Sequence, residues 1–166
     1  MMAKNGKVNF KELEEFRNQL QKLADNSDDF IESCAKELAA RLLAKVIKRT
    51  PVGEYPAESG KKGGTLRRGW TGGKTSGAST YANSLSVTHS GNAYTIEIVN
   101  PIEYASYVEF GHRQEPGRFV PAIGKTLKKG WVEGKFMLTI SEEEIRKDAP
   151  KILENKLKKY LGECFK

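Results

Sequence analysis

Apolar side chains recur at three- and four-residue intervals near the start of the chain. Phe10, Leu13, Phe16, Leu20 and Leu23 form one stripe, which predicts an amphipathic helix over about 10–24. Asn9 followed by Glu12 offers a variant capping box at its start. Asp25-Asn26-Ser27-Asp28 interrupts the pattern and supplies N-caps for a second helix over about 29–48. Its expected buried stripe is Ile31, Cys34, Ala35, Leu38, Leu42 and Val46, with Ala39 and Ala40 small enough to admit a close neighbour. Thr50-Pro51 ends that helix, because proline lacks an N–H and disfavours helical backbone in the residue before it.

The periodicity then disappears. Residues 51–80 hold eight glycines and two prolines, a density that predicts a long loop anchored by the cluster Leu66 to Trp70. From Leu85 to Val99 the alternation of Leu85, Val87 and His89 with Tyr94, Ile96 and Ile98 predicts an antiparallel hairpin turning at Ser90-Gly91-Asn92. Two strands alone are marginal, so the hairpin is expected to pack on the second helix. Asn100-Pro101 stops it. Tyr104, Tyr107 and Val108 next share one face of a short helix, closed by Gly111 in a left-handed turn. Those side chains also suit ordinary core positions. His112 opens a second Gly/Pro-rich loop, with Phe119-Val120 as its anchor. Trp131 to Ile140 suits helix and strand equally. Ser141 followed by three glutamates reads as a helix start, and Pro150 as a break or restart before Ile152, Leu153, Leu157, Tyr160 and Leu161.

These elements describe an α+β fold: N-terminal helices and a C-terminal helix packed on a small antiparallel β-sheet, with two long basic loops. The 166 residues suit a single domain. It divides into helices at 9–49, a loop at 51–80, a hairpin at 84–100, a short helix at 102–110, a loop at 112–130 and helical structure at 141–164. The net charge of +7 sits in two places. Residues 51–80 carry +3 and residues 112–135 carry +4, so the rest is neutral on balance. Such segments attract polyanions or acidic protein surfaces. No apolar run approaches membrane-spanning length, and no signal-peptide core follows the N-terminus, so a cytoplasmic protein is expected.

Candidate chemistry is sparse. Cys34 and Cys164 are the only cysteines and form no zinc pattern; Cys34 is expected as a small buried apolar side chain. Gly124-Lys125-Thr126 resembles the end of a phosphate-binding loop, but Phe119 stands where the leading glycine is required. No glycine-flanked nucleophile accompanies His89 or His112. Paired carboxylates would have to come from Glu97, Glu103 and Glu109, which read as surface residues. No aspartate lies between Asp29 and Asp148, which argues against metal-dependent phosphodiester chemistry. No cofactor or metal is expected.

With these residues laid out, the chain resembles the small neck proteins of tailed bacteriophages and phage-like particles, also called head–tail joining, tail-component or tail-completion proteins. Four pieces in order carry the resemblance: Thr50-Pro51-Val52, then Gly64-Thr65-Leu66-Arg67-Arg68-Gly69-Trp70, then Asn100 to Arg113, then Trp131 to Leu138. The run Tyr104-Ala105-Ser106-Tyr107-Val108-Glu109-Phe110-Gly111-His112-Arg113 is the specific part. Many members bring the proline close to the glycine-leucine-arginine; here Gly53 to Gly63 separates them.

The resemblance implies a non-enzymatic virion component, a homo-oligomeric ring between connector and tail through which DNA passes. It implies contact with adjacent connector and tail proteins and no membrane partner. It places the protein in the host bacterial cytoplasm during assembly and then in the virion or phage-tail-like particle. Pro51, Leu66, Tyr104, Tyr107, Val108, Phe110 and Gly111 are the expected structural motif, with the aromatics holding the short helix in place. Arg67, Arg68, Trp70, Glu109, His112, Arg113 and Arg118 are the expected inter-subunit or partner contacts. The rival reading is a nucleic-acid-binding module, in which Arg67-Arg68-Gly69-Trp70 would stack on single strands. A hydrolase ranks last for want of a constellation.

Overall fold

A computed structural model describes residues 11–55, 57–60, 62–74, 77–121 and 124–164. Asn9 and Phe10, named above, lie outside the described residues. Helix α1 spans Lys11–Asp25, and α2 follows after a break at Asn26, spanning Ser27–Arg49. The core side of α2 differs from the predicted stripe. Ala39, Leu43 and Val46 are buried with Cys34, whereas Ile31 is exposed. Two apolar stripes lie side by side on this helix, and its neighbours choose between them. Cys34 is buried, and desolvation pushes its thiol pKa up.

The end of α2 is built around Thr50, which is fully buried. Its hydroxyl donates to Val46 O at 2.6 Å and accepts from Trp70 Nε1 at 2.8 Å. Its carbonyl accepts from Arg67 Nε at 3.0 Å and Nη2 at 2.6 Å. A guanidinium thus closes the negative end of the helix, where a cation is favoured.

Residues 51–80 are not the single loop their glycines suggest. They contain a 3-10 turn at Ala57–Ser59, helix α3 at Thr65–Gly69 and the start of α4 at Ala78–Ser84. Helix α4 packs on α2 more extensively than any other element does. Ala39 and Ala40 of α2 and Ala78 and Ala82 of α4 join the same core, so alanines on both helices permit the close approach. Gly69 shows the same economy: a Cβ there would come within 2.2 Å of Asn100 Oδ1. Asn100 bonds the carbonyl of Leu66 at 2.9 Å and so ties α3 to the segment entering α5.

The hairpin is shorter than predicted: β1 (Thr88–Ser90) pairs with β2 (Ala93–Thr95) around Gly91-Asn92. Tyr94 Oη donates to Asp28 Oδ1, which docks the hairpin on the start of α2. Ile96 and Ile98 continue into the core without a strand partner. Helix α5 spans Ala105–Phe110.

Residues 111–133 overturn the second loop expectation. Strand β3 (Gly111–Arg113) pairs with β6 (Trp131–Glu133), and β4 (Phe119–Val120) pairs with β5 (Lys125–Thr126), both antiparallel. Gln114 N–H to Gly130 O at 3.0 Å and Gly117 N–H to Leu127 O at 2.8 Å join the pairs into one ribbon. The fold is α+β, with its strands in three separate two-stranded pairs rather than one sheet.

Helix α6 runs unbroken from Met137 to Cys164 through Pro150. Pro150 is exposed, so the bond its missing N–H forfeits falls on the solvent side. Ser141 is not the expected cap. It is buried four residues into the helix, where its hydroxyl donates to Met137 O at 2.6 Å and accepts from Arg49 Nη1 at 2.6 Å. The cap is Glu109, the second correction here, because it is buried rather than at the surface. Its carboxylate accepts from Leu138 N–H at 3.0 Å, Thr139 N–H at 2.9 Å and Thr139 Oγ1 at 2.8 Å.

Leu43, Val46, Leu66, Trp70, Ala82 and Met137 meet in one core, where α2, α3, α4 and α6 converge. An ionic seam runs beside it. Lys45 Nζ lies 2.9 Å from Glu144 Oε2, and Arg49 Nη2 lies 2.7 Å from Glu144 Oε1. The Lys45 hydrogen bond, supported by Arg49, holds the Glu144 carboxyl below its usual range.

Two outcomes follow from these contacts. Glu109→Ala removes a buried cap and leaves two helix N–H groups unpaired; unfolding in urea should show a loss of about 2 kcal/mol. Glu144 has a depressed pKa in the folded chain, so its contribution is complete above about pH 4.5 and disappears as pH falls through the folded value. Thermal midpoints measured from pH 7 to pH 3 should therefore fall on acidification, and Glu144→Gln should show a shallower fall than the parent.

Candidate functional site

Several residues expected at contacts are instead used within the chain. Arg67 is committed to Thr50 O, and Trp70 is 4% exposed with its indole N–H bonded. Glu109 caps α6. Leu66 is buried, as a structural anchor should be. Arg68 is exposed, with its guanidinium on Gly63 O at 3.2 Å and near Thr65 Oγ1. Pro51 is exposed beside an open notch lined by Val52, Tyr55, Leu66 and Tyr104.

The aromatic side chains of α5 also depart from expectation. Tyr104, Tyr107 and Phe110 point outward, with Phe110 61% exposed. They do not hold the helix in place. Ile102, Ala105 and Val108 pack on the core, and Glu109 fastens the far end. Gly111 then takes a positive φ of 85°, and a Cβ there would meet Val132 O at 2.4 Å. Only glycine allows the ribbon to leave α5 this tightly. His112 is half-buried at the root of the ribbon, its ring 5.7 Å from that of Tyr107.

The ribbon is an arm. Among the described elements, β4 and β5 have each other as their main packing partner. Arg113, Arg118, Lys125, Lys128 and Lys129 are all exposed on it, opposed by Glu115 and Glu133. Phe119 is 58% exposed among these cations. By contrast, residues 75–112 contain no lysine or arginine, while Glu97 and Glu103 stand exposed there. The segment that leads into the basic arm is therefore neutral to acidic.

Beside α5 lies an apolar notch of about 230 Å³, walled by Trp70, Ile98, Val99, Ala105, Phe110 and Leu138. A second apolar surface lies on α1, where Leu13, Phe16 and Leu20 of the predicted stripe are exposed rather than packed inward. A groove of about 720 Å³ between α2 and α6 is lined by paired charges such as Glu37 with Arg41 and Lys156. Arg41, with help from Lys156, lowers the pKa of Glu37. Nothing in it is aimed at a reacting atom. His89 stacks on Tyr94 at 4.3 Å on the exposed hairpin. Among the described residues, neither histidine hydrogen-bonds a serine or cysteine.

Sequence reasoning missed the roles of Thr50, Glu109 and α4. A signal existed for Glu109: the three residues before Met137 include no Ser, Thr, Asp or Asn, so the helix needed a cap from elsewhere.

Among the described residues no helix is long and apolar enough to cross a membrane. No curated protein and no solved structure matches the chain. A family profile does, over residues 14–111, which is more than half of the chain: the HK97-gp10-like family, described as "Bacteriophage HK97-gp10, putative tail-component". The match runs from the first turns of α1 through α3, the hairpin and α5, and stops at Gly111, where the arm begins. The chain thus belongs to the HK97-gp10-like family of phage tail components.

Proposed function

We propose that the protein is a structural subunit of the head–tail neck of a phage, prophage or phage-tail-like particle. Copies form a ring that joins the connector to the tail and lets DNA pass. The observation that carries this reading is the disposition of surface on a tail-component chain. A basic arm stands clear of the body, and large apolar side chains on α1, α5 and the arm remain exposed. Exposed apolar surface of this extent marks sites where other protein is meant to sit. Partners on this reading are sister copies and the adjacent connector and tail proteins. DNA touches the basic arms only without sequence preference. Assembly takes place in the bacterial cytoplasm and ends in the particle.

The arrangement weighs against the stacking version of nucleic-acid recognition. Trp70 is in the core, and Arg67 is on a helix end, so the run Arg67-Arg68-Gly69-Trp70 presents no platform for bases.

Particles made without the protein are expected to accumulate filled heads and separate tails, visible by electron microscopy. Restored particles should show a neck ring containing several copies. Purified protein is expected to bind single- and double-stranded DNA weakly, with binding gone at physiological salt. Tight binding, with log affinity falling by about 4 to 5 per decade of salt, would correspond to all five arm cations on phosphates. That result would favour a nucleic-acid module over a ring subunit.

A further inference from the structure

The apolar notch beside α5 and the exposed phenylalanine on the arm are complementary features of one chain that do not meet within it. Phe119 is eight residues beyond Gly111, so an extended ribbon carries it up to about 25 Å from its own root. It remains 58% exposed there. The notch opens at that root, between α5 and residues 98–100, and Val99 and Phe110 at its edge are themselves 55% and 61% exposed. Its volume of about 230 Å³ suits one aromatic side chain. Its walls are apolar apart from Asn100, Ser106 and Glu109, and Glu109 is already committed to α6.

Charge favours the same pairing. The arm carries five cations against Glu115 and Glu133, a net charge of +3. The segment that lines most of the notch lies within residues 75–112, which have no cation and which expose Glu97 and Glu103. Two arms repel one another, whereas arm and notch face attract. The occupant that brings both the aromatic ring and the cations is a second copy of this chain.

We infer that Phe119 on the arm of one copy seats in the α5 notch of the next, with Arg118 and Lys125 over the neutral-to-acidic face around it. The contact joins two different surfaces, so each copy offers one arm and one notch. This inference rests on the ring reading above and adds to it the residues through which neighbours touch.

Cysteine pairs test it in assembled particles. Phe119→Cys and Val99→Cys are introduced singly and together, with Cys164→Ser throughout. Cys34 stays, because it is buried and its thiol pKa is raised. Both target sites are more than half exposed, so folding should survive, and an unchanged thermal midpoint checks this. After mild oxidation, the doubly substituted chain is expected to run as a ladder of covalent multimers on non-reducing gels. Particles with an equal mixture of the two single variants should give a two-chain product and nothing longer, and either single variant alone should give no product.

Rings seen by microscopy with no ladder would overturn the contact and leave the ring reading intact. A product joining either cysteine to a different particle protein would overturn it as well, by giving the surface another occupant. So would a dimer from one single variant, which would mean that like surfaces pair. Particles whose necks hold no ring of this protein would sink the ring reading itself, and the contact with it.

Discussion

The Glu109 carboxylate at the start of α6 is the interaction on which the rest of the structure turns. A buried carboxylate is costly unless its oxygens are satisfied, and here three donors from Leu138 and Thr139 meet it. The positive end of a 28-residue helix favours the charge further. The backbone repeats the link: Lys135 N–H reaches Val108 O at 2.8 Å, and Phe136 N–H reaches Glu109 O at 3.0 Å. Phe136 takes a positive φ of 47° to make that junction, a conformation with a steric cost for a bulky side chain. The last turn of α5 and the entry to α6 are thus held together, and both ends of the arm leave from that clamp. An arm rooted in this way leaves the body in a fixed direction.

A second joint at Thr50 divides the cations of the chain into two groups. Arg67 and Arg49 are spent inside the molecule, on a helix end and on the seam with Glu144 and Ser141. The cations of the arm are left to solvent. Net charge alone does not distinguish these groups. Geometry does: guanidinium groups near the end of α2 find carbonyl and carboxylate partners at 2.6 to 3.0 Å, while the ribbon sets Glu115 and Glu133 against its five cations. The first basic stretch thus gives up Arg67 to the interior while Lys62, Arg68 and Lys74 stay exposed, and the arm keeps all five of its cations exposed.

Much of this was legible in the residues, and the failures have physical causes. Periodicity gave α1 and α2 to within a residue or two at each end, because long amphipathic helices repeat their signal several times. It did not reveal that the α1 stripe faces outward, since the pattern states only that one face is apolar. Helix α4 was hidden by neighbouring glycines, and its seven residues are held by packing of alanines against α2 rather than by propensity. The arm strands are two or three residues long, too short for alternation to register. At the candidate site, Gly111 takes the positive φ that its type suits, and Arg113 and Arg118 stand exposed on the arm. Trp70, Arg67 and Glu109 were misread because an aromatic ring, a guanidinium and a carboxylate look alike in a sequence whether they face a partner or a helix end. Only the fold brings Thr50 to Trp70 and Glu109 to Leu138.

The separation of charge also constrains how copies can associate. A two-fold contact places a surface against itself, and a surface with three net positive charges on a narrow ribbon is a poor partner for itself. The cation-free face that includes α5 would likewise set Glu97 and Glu103 against their own copies. Association through these elements is thus driven toward unlike surfaces, arm against body. Repeated unlike contacts close into a ring when the rotation between neighbours divides a full turn, and otherwise continue as a helix. On the proposed ring reading, the clamp at Glu109, which sets the angle at which the arm leaves the body, would also set that rotation. A buried carboxylate far from any partner would then determine whether the assembly closes, through the direction it imposes on the arm.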